Sequence, residues 1–185
     1  EYSIHAPYAD TNLSADDDQI RKAILDRLKK SITYAAELEA QALVIHPGRR
    51  TAIDRFDPKR TWNLNISSAR EILDYARNHG VNALFENLPE PEPHLMKSVE
   101  EFKIFLDAMG KNSGMVLDIA HANTGKEIHE FIETFKDNIG HIHVSDNYGE
   151  ADRHLEIGEG GINWVKVTNH LKTIDFDNWI VVESY

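Results

Sequence analysis

The stretch Ile139–Trp164, IGHIHVSDNYGEADRHLEIGEGGINW, decides how the rest of the chain is read. It opens with the apolar run Ile139–Val144, interrupted by His141 and His143. It then turns polar and glycine-rich through Asp146, Asn147, Gly149, Asp152, Arg153, His154, Gly158, Glu159, Gly160 and Gly161. A short apolar run bounded by turn residues predicts a buried strand, here one that carries two imidazoles. The polar half predicts a long loop holding a carboxylate and an imidazole two residues apart, Asp152 and His154. Side chains of an extended segment alternate with period two, so such a D-x-H pair would point to one side. Neutral imidazole and ionised carboxylate are ligands of divalent metals such as zinc, manganese and iron.

Outward from this stretch the same unit repeats. Tyr2–Ala6 predicts a short strand, and residues 16–40 a long helix with Ile20, Ile24, Leu28, Ile32, Ala35 and Leu38 at helical spacing. Ala42–Ile45 predicts a strand buried on both faces, followed by a charged loop from Arg49 to Arg60. Asn63–Asn78 predicts a helix that stops at Gly80. Val81–Phe85 predicts a strand, and Ser98 with Glu101 a capping box that opens the next helix. Met115–Leu117 predicts a strand and Lys126–Asp137 a helix. Beyond the quoted stretch come a helix capped by Asn163 and a last strand, Trp179–Val182. The order βαβαβαβαβαβ predicts a parallel sheet with right-handed crossovers. A doubly wound sheet and a TIM-type (β/α) barrel both fit this order. No G-x-G-x-x-G follows the first strand, which favours the barrel.

Each predicted strand ends on a metal-ligand residue type: His5, His46, Glu86, Asp118, His143 and Glu183. In a barrel all C-terminal strand ends converge on one mouth. Six such groups converging there would repel one another unless a divalent cation neutralised them. His79, His94, His129 and His170 fall on helices or loops and read as surface or packing residues. His141 shares a strand face with His143 and reads as a packing neighbour. His46 before Pro-Gly, and His121 as a helix cap, each have a structural reading too. Tyr8 and Trp62 could line a substrate pocket or pack at its rim. Arg153 could bind an anionic group.

The chain has 185 residues, 41% hydrophobic and 28% charged, which describes an ordinary globular protein large enough for a real core. No apolar run is long enough to span a membrane. No basic, apolar leader opens the chain, so the cytoplasm is the default expectation. The absence of cysteine leaves metal binding to His, Asp and Glu. A net charge of −11 argues against a nucleic-acid partner, which normally meets a basic footprint.

The ordered motifs H-A-P-Y, V-I-H-P-G, L-F-E-N, V-L-D-I-A-H, H-V-S-D-N, D-R-H-L-E-I-G-E-G and V-V-E-S resemble the xylose isomerase-like TIM-barrel superfamily. That superfamily holds sugar and sugar-phosphate isomerases and epimerases as well as endonuclease IV, which cleaves DNA at abasic sites. In the isomerase branch the resemblance implies one divalent metal (Zn, Mn, Co or Mg) on Glu86, Asp118, His143 and Glu183. Glu86 and Glu183 would be the catalytic acid/base pair, with His121, Arg153 and Tyr8 toward substrate. The substrate would be a small sugar or sugar phosphate, interconverted through an enediolate. In the endonuclease IV branch the resemblance implies three zinc ions. His5, His46 and Glu86 would hold one, the four-residue set a second, and His121, Asp152 and His154 a third. Asp118 is followed by Ile119 and Ala120, where that nuclease usually has Thr-Cys, and A-P-Y and V-S-D-N are closer to the isomerase-like proteins. The isomerase or epimerase class is therefore preferred, with the nuclease as the alternative and a dehydratase or lyase behind both.

A barrel of this type runs to about 250 residues. The six strands match the third to the eighth by motif, so the sequence is expected to be a truncated single domain, 1–185. An opening where two strands are missing would expose strand edges and favour homo-oligomers.

Overall fold

The computed structural model describes residues 2–110 and 113–184. They form two compact units. The first is the chain up to Phe85 together with Pro93–Leu95; the second is Glu86–Glu92 with the chain from Met96 on.

The first unit is built on three parallel strands. Strand β1, Ile4–His5, pairs with β2, Leu43–Ile45, which pairs in turn with β3, Ala83–Glu86, in the register Leu43↔Ala83, Val44↔Leu84 and Ile45↔Phe85. All three residues of β2 are buried, as expected for an apolar run covered on both faces. Helix α1, Asp18–Glu37, starts where the Asp17 side chain accepts from the backbone N–H groups of Gln19 and Ile20. Its buried stripe is Ile24, Leu25, Leu28, Ile32 and Ala35, at the spacing the sequence shows. Ile20 and Leu38, expected in that stripe, are exposed, because the ends of the helix overrun the core.

A 3₁₀ helix, Ala52–Arg55, occupies part of the charged loop after β2. Helix α2 then runs from Pro58 to Asn78, five residues earlier than the apolar spacing suggests. Asp57 caps it by accepting from Arg60 N–H, and Pro58 stands in the first turn, where its missing N–H costs nothing. Gly48 lies against Ser14; an added Cβ there would collide with Ser14 Oγ and come within 2.8 Å of Ser14 N.

The second unit carries β4, Met115–Asp118, β5, Ile139–Val144, and β6, Trp179–Val182, parallel and in chain order, with Asp118↔His143 and His143↔Val181 in register. Strands β5 and β6 have the bounds expected from sequence. Strand β4 is fully buried, whereas β6 alternates, with Trp179 and Val181 half-buried and Ile180 and Val182 exposed. Helix α3, Val99–Met109, is capped by Ser98, whose Oγ accepts from Glu101 N–H at 3.2 Å. The return bond of the expected capping box goes one residue upstream, from Lys97 N–H to Glu101 Oε2. Helix α4, Ile119–Thr124, was not expected; it starts directly on β4 because the Asp118 carboxylate caps it. Helix α5 is shorter than expected, Ile128–Thr134, and α6 runs from Trp164 to Thr173 with the Asn163 cap in place. No helix among the described residues is long and apolar enough to cross a membrane.

The core of this unit centres on Phe102, Phe105, Phe131 and Phe135, with ring centroids 5.5–6.2 Å apart in tilted and edge-to-face pairs. Phe102 is fully buried and touches the other three. Replacing it with Ala should destabilise the fold by about 3–5 kcal/mol, read from the urea midpoint by circular dichroism; a loss under about 1 kcal/mol would mean the cluster is not the core.

Candidate metal and substrate site

Residues of the second unit that stand at or just past strand ends converge on His143. Its Nδ1 lies 2.9 Å from Glu86 Oε1, at the end of β3, and 3.3 Å from Glu183 Oε2, just past β6. Glu86, Asp118, His143 and Glu183 each offer one ligand atom, and these four atoms lie within 4.8 Å of one another. Glu86, Asp118 and His143 are buried; Glu183 is partly open to solvent.

The electrostatics of this set express one problem. Burial pushes the Asp118 carboxyl up to about 6, with His121 opposing and the Glu86 charge adding to the rise. Burial works against a charged His143, yet the hydrogen bond and charge of Glu86, then Glu183 and Asp118, raise it above the ordinary imidazole range. Asp118 Oδ1 is used by His121 N–H at 2.7 Å, whereas Oδ2 is buried and accepts no hydrogen bond among the described residues. A buried carboxylate oxygen without a donor is costly. Three carboxylates and an imidazole around one point are the donor chemistry of a divalent cation. On both grounds the residues present fit such an ion.

A second cluster stands beside the first. His121 Nε2 lies 3.3 Å, and His154 Nε2 2.9 Å, from the same oxygen, Asp152 Oδ2. Each imidazole is oriented from its other nitrogen: His121 Nδ1 donates to the Asn87 carbonyl at 2.8 Å and His154 Nδ1 to the Glu183 carbonyl at 2.6 Å. Such backbone anchoring fixes the tautomer of a ligating or proton-holding histidine. Although burial opposes charge on His121, Asp118, Asp152 and Glu86 raise it to about 10. The Asp152 hydrogen bond lifts His154 to about 9. Asp152 itself, despite burial, is held well below the usual carboxylate range by the two histidines. The pair Asp152 and His154 thus converge as expected, but not through a regular extended segment, since His154 has φ 49°.

In the first unit His5 and His46 are neighbours, with ring centroids 4.9 Å apart, and Tyr8 lies 5.5 Å from His5 and 5.2 Å from His46. His94 stands edge-on to His46 at 6.4 Å. Trp62 lies in α2, and Arg153 is exposed on the β5–α6 loop. His141 is fully buried, its ring 5.1 Å from that of His143; burial and the neighbouring His143 hold it down to about 4, so it packs as a neutral ring.

Three residues that sequence reading left without a role organise the site. Asn87 bonds the Asp118 backbone twice, accepting its N–H at 2.8 Å and donating to its carbonyl at 3.0 Å. Asn147, also buried, donates to the Ala120 carbonyl at 2.8 Å and accepts from Asn123 Nδ2 and Gly149 N–H. Asp146 gathers the loop that carries Asp152 and His154. Its carboxylate accepts from Asn147, Gly158 and Ile162 N–H and from the Trp164 indole at 2.7 Å. A Cβ on Gly160 would run into that carboxylate. Burial opposes its charge, but these hydrogen bonds, led by that of Trp164, leave the Asp146 pKa below the usual range. Their sequence signals are the motifs L-F-E-N, which holds Asn87, and H-V-S-D-N, which holds Asp146 and Asn147.

The whole chain, residues 1–185, matches the family model described as xylose isomerase-like TIM barrel. The chain belongs to the xylose isomerase-like TIM barrel family. Uncharacterized protein MJ1311 of Methanocaldococcus jannaschii is 34% identical over all of this chain and 64% of its own length. D-psicose 3-epimerase of Ruminiclostridium cellulolyticum is 30% identical over 98% of this chain and 62% of its own length. The crystal structure of a D-tagatose 3-epimerase-like protein is 32% identical with a TM-score of 0.93, covering 98% of this chain and 70% of that one. Proteins named as probable endonuclease 4 also match. The chain therefore spans just under two thirds of the length of these two curated relatives. The α/β fold expected from the sequence, a TIM-type barrel represented in part by six strands, is the fold found.

Asp146→Ala would remove a charged acceptor from three N–H groups and an indole, at about 2–3 kcal/mol. Amide exchange at Gly158 and Ile162 should accelerate before that of β5. Uniform acceleration across both would show that Asp146 does not hold the loop separately.

Proposed function

We propose that this protein is a metal-dependent isomerase or epimerase of a small sugar or sugar phosphate. The observation that carries the reading is that Glu86 Oε1 and Glu183 Oε2 lie 2.9 and 3.3 Å from the same atom, His143 Nδ1, within one four-residue donor set. The names of the epimerase relatives agree with it. A divalent cation held by Glu86, Asp118, His143 and Glu183 would supply Lewis-acid polarisation of a substrate carbonyl.

The residues of the chain do the rest. One of the two glutamates takes the proton from the carbon next to the carbonyl; the electron pair of that C–H bond moves into the carbonyl and leaves an enediolate. A proton returned to the opposite face of the same carbon, from the other glutamate, inverts that centre; a proton returned to the neighbouring carbon exchanges aldose for ketose. Two separate carboxyl groups within reach of one carbon are what the first outcome requires. His121, tied to Asp152 and the Asn87 carbonyl, holds its Nε2 side in a fixed direction for a substrate hydroxyl. Arg153 meets the outer hydroxyls or a phosphate.

The second reading, a zinc-dependent abasic-site DNA endonuclease, is favoured by one observation, the second cluster His121, Asp152 and His154, whose ligand atoms lie within 4.8 Å of one another. In that case each cluster would hold metal, and DNA would be the partner.

The two separate on metal content and substrate. We expect about one divalent metal per chain after dialysis, unchanged when Asp152 and His154 are both replaced by Ala. We expect ketose epimerisation or aldose–ketose exchange to fall by about 10²–10⁴ in Glu86→Gln and in Glu183→Gln. Three metals falling to two in the double variant, with abasic DNA cut and sugars unchanged, would replace the first reading with the second.

A further inference from the structure

Away from the strand ends, α5 and α6 bring two histidines together. His129 is the second residue of α5 and His170 lies in the last turn of α6. Their Nδ1 atoms are 3.0 Å apart, and the rings are nearly stacked, with centroids at 5.2 Å and an angle of 29°. Both are partly exposed. Glu133, one turn along α5 from His129, places Oε2 3.4 Å from His170 Nε2.

A carboxylate can only accept, so the proton of a neutral His170 sits on Nε2 and its Nδ1 presents a lone pair toward His129. A carboxylate behind a histidine is the arrangement that orients metal-ligating imidazoles. Burial, the Lys166 ammonium and His170 all lower the His129 pKa, which favours its neutral form. Two ligands at about 2.0–2.1 Å from one ion, at angles between 90° and tetrahedral, are about 2.9–3.4 Å apart. The observed 3.0 Å lies in that interval. From this juxtaposition we propose that His129 and His170 form a bis-imidazole site for a borderline divalent transition metal such as Zn(II), Ni(II) or Cu(II), linking α5 to α6.

In the metal-free protein the 3.0 Å contact is an N–H···N bond from His129 Nδ1 to His170 Nδ1. Binding moves the His129 proton to its Nε2, so both imidazoles ligate as neutral rings and no net proton is released. Two nitrogen donors select against Mg(II) and Ca(II), which take oxygen. Lys166 opposes the cation, and Lys136 competes for Glu133 through a 3.0 Å ion pair. The site is therefore weaker than the strand-end cluster and exchanges on dialysis. It does not depend on the reaction proposed above.

The test titrates Zn(II), and in parallel Cu(II), into protein whose strand-end cluster has first been filled and freed of excess metal. One further equivalent per chain is expected, reversible by dialysis, with Cu(II) spectra showing coupling to two imidazole nitrogens. The equivalent should be lost in His129→Gln and in His170→Gln. Binding should weaken severalfold in Glu133→Gln and tighten in Lys166→Gln. In the unsubstituted protein, paramagnetic Ni(II) should broaden the ring protons of His129 and His170, which keeps the proposal testable if a variant misfolds. No further equivalent, or one retained in both histidine variants, would overturn the site. So would broadening of other histidines while these two stay sharp.

Discussion

Three carboxylates held with an imidazole around one point, with only Glu183 partly open to water, repel one another and strain their ordinary charges. The rest of the second unit depends on how that conflict is met. Without a counter-ion, Asp118 rises toward neutrality and His143 toward the imidazolium; a divalent cation would let every carboxylate stay ionised. The strands supply the geometry for the conflict. Glu86, Asp118 and His143 end or nearly end their strands, where parallel pairing brings neighbouring C-termini level, as the register Asp118↔His143 shows. An antiparallel sheet would send alternate ends to opposite sides and could not gather them.

Holding these groups in place requires a rigid polar frame, and buried asparagines provide it. The Asn87 and Asn147 side chains are spent on backbone groups around β4 and α4, not on solvent. The Asp118 carboxylate shows the same economy, with one oxygen capping α4 and the other facing the cluster. Burying uncharged amides with their hydrogen bonds made costs little; burying further charge beside the cluster would add to the repulsion.

Much of this was legible in the sequence, for identifiable reasons. Strands β5 and β6 could be bounded because apolar runs between breakers leave few alternatives. The strand-end residues were legible because each follows such a run. Periodicity failed where helices are set by caps: α2 begins at the Asp57–Pro58 pair inside a charged segment, and α4 is a short helix fixed by Asp118 alone. The roles of Asn87 and Asp146 were not legible because their partners lie 31 and up to 18 residues away, and no local pattern encodes such distances. The pairing of Asp152 with His154 was expected from alternation along an extended segment, and His121 joined them only through the family resemblance; in the structure His154 reaches Asp152 through a left-handed turn.

The Asp146 knot closes both stems of one loop. It binds Asn147 on one side and Gly158, Ile162 and Trp164 on the other, while the Asp146–Leu155 bridge adds a further tie. The tip of that loop, Tyr148 to Ala151, ahead of Asp152 and His154, is thus a cassette, anchored at its ends whatever it contains. Selection can rewrite such a tip, in length or in charge, while the scaffold beneath stays folded. For a protein engineer the same knot marks cut sites for grafting new recognition tips onto an unchanged reactive centre.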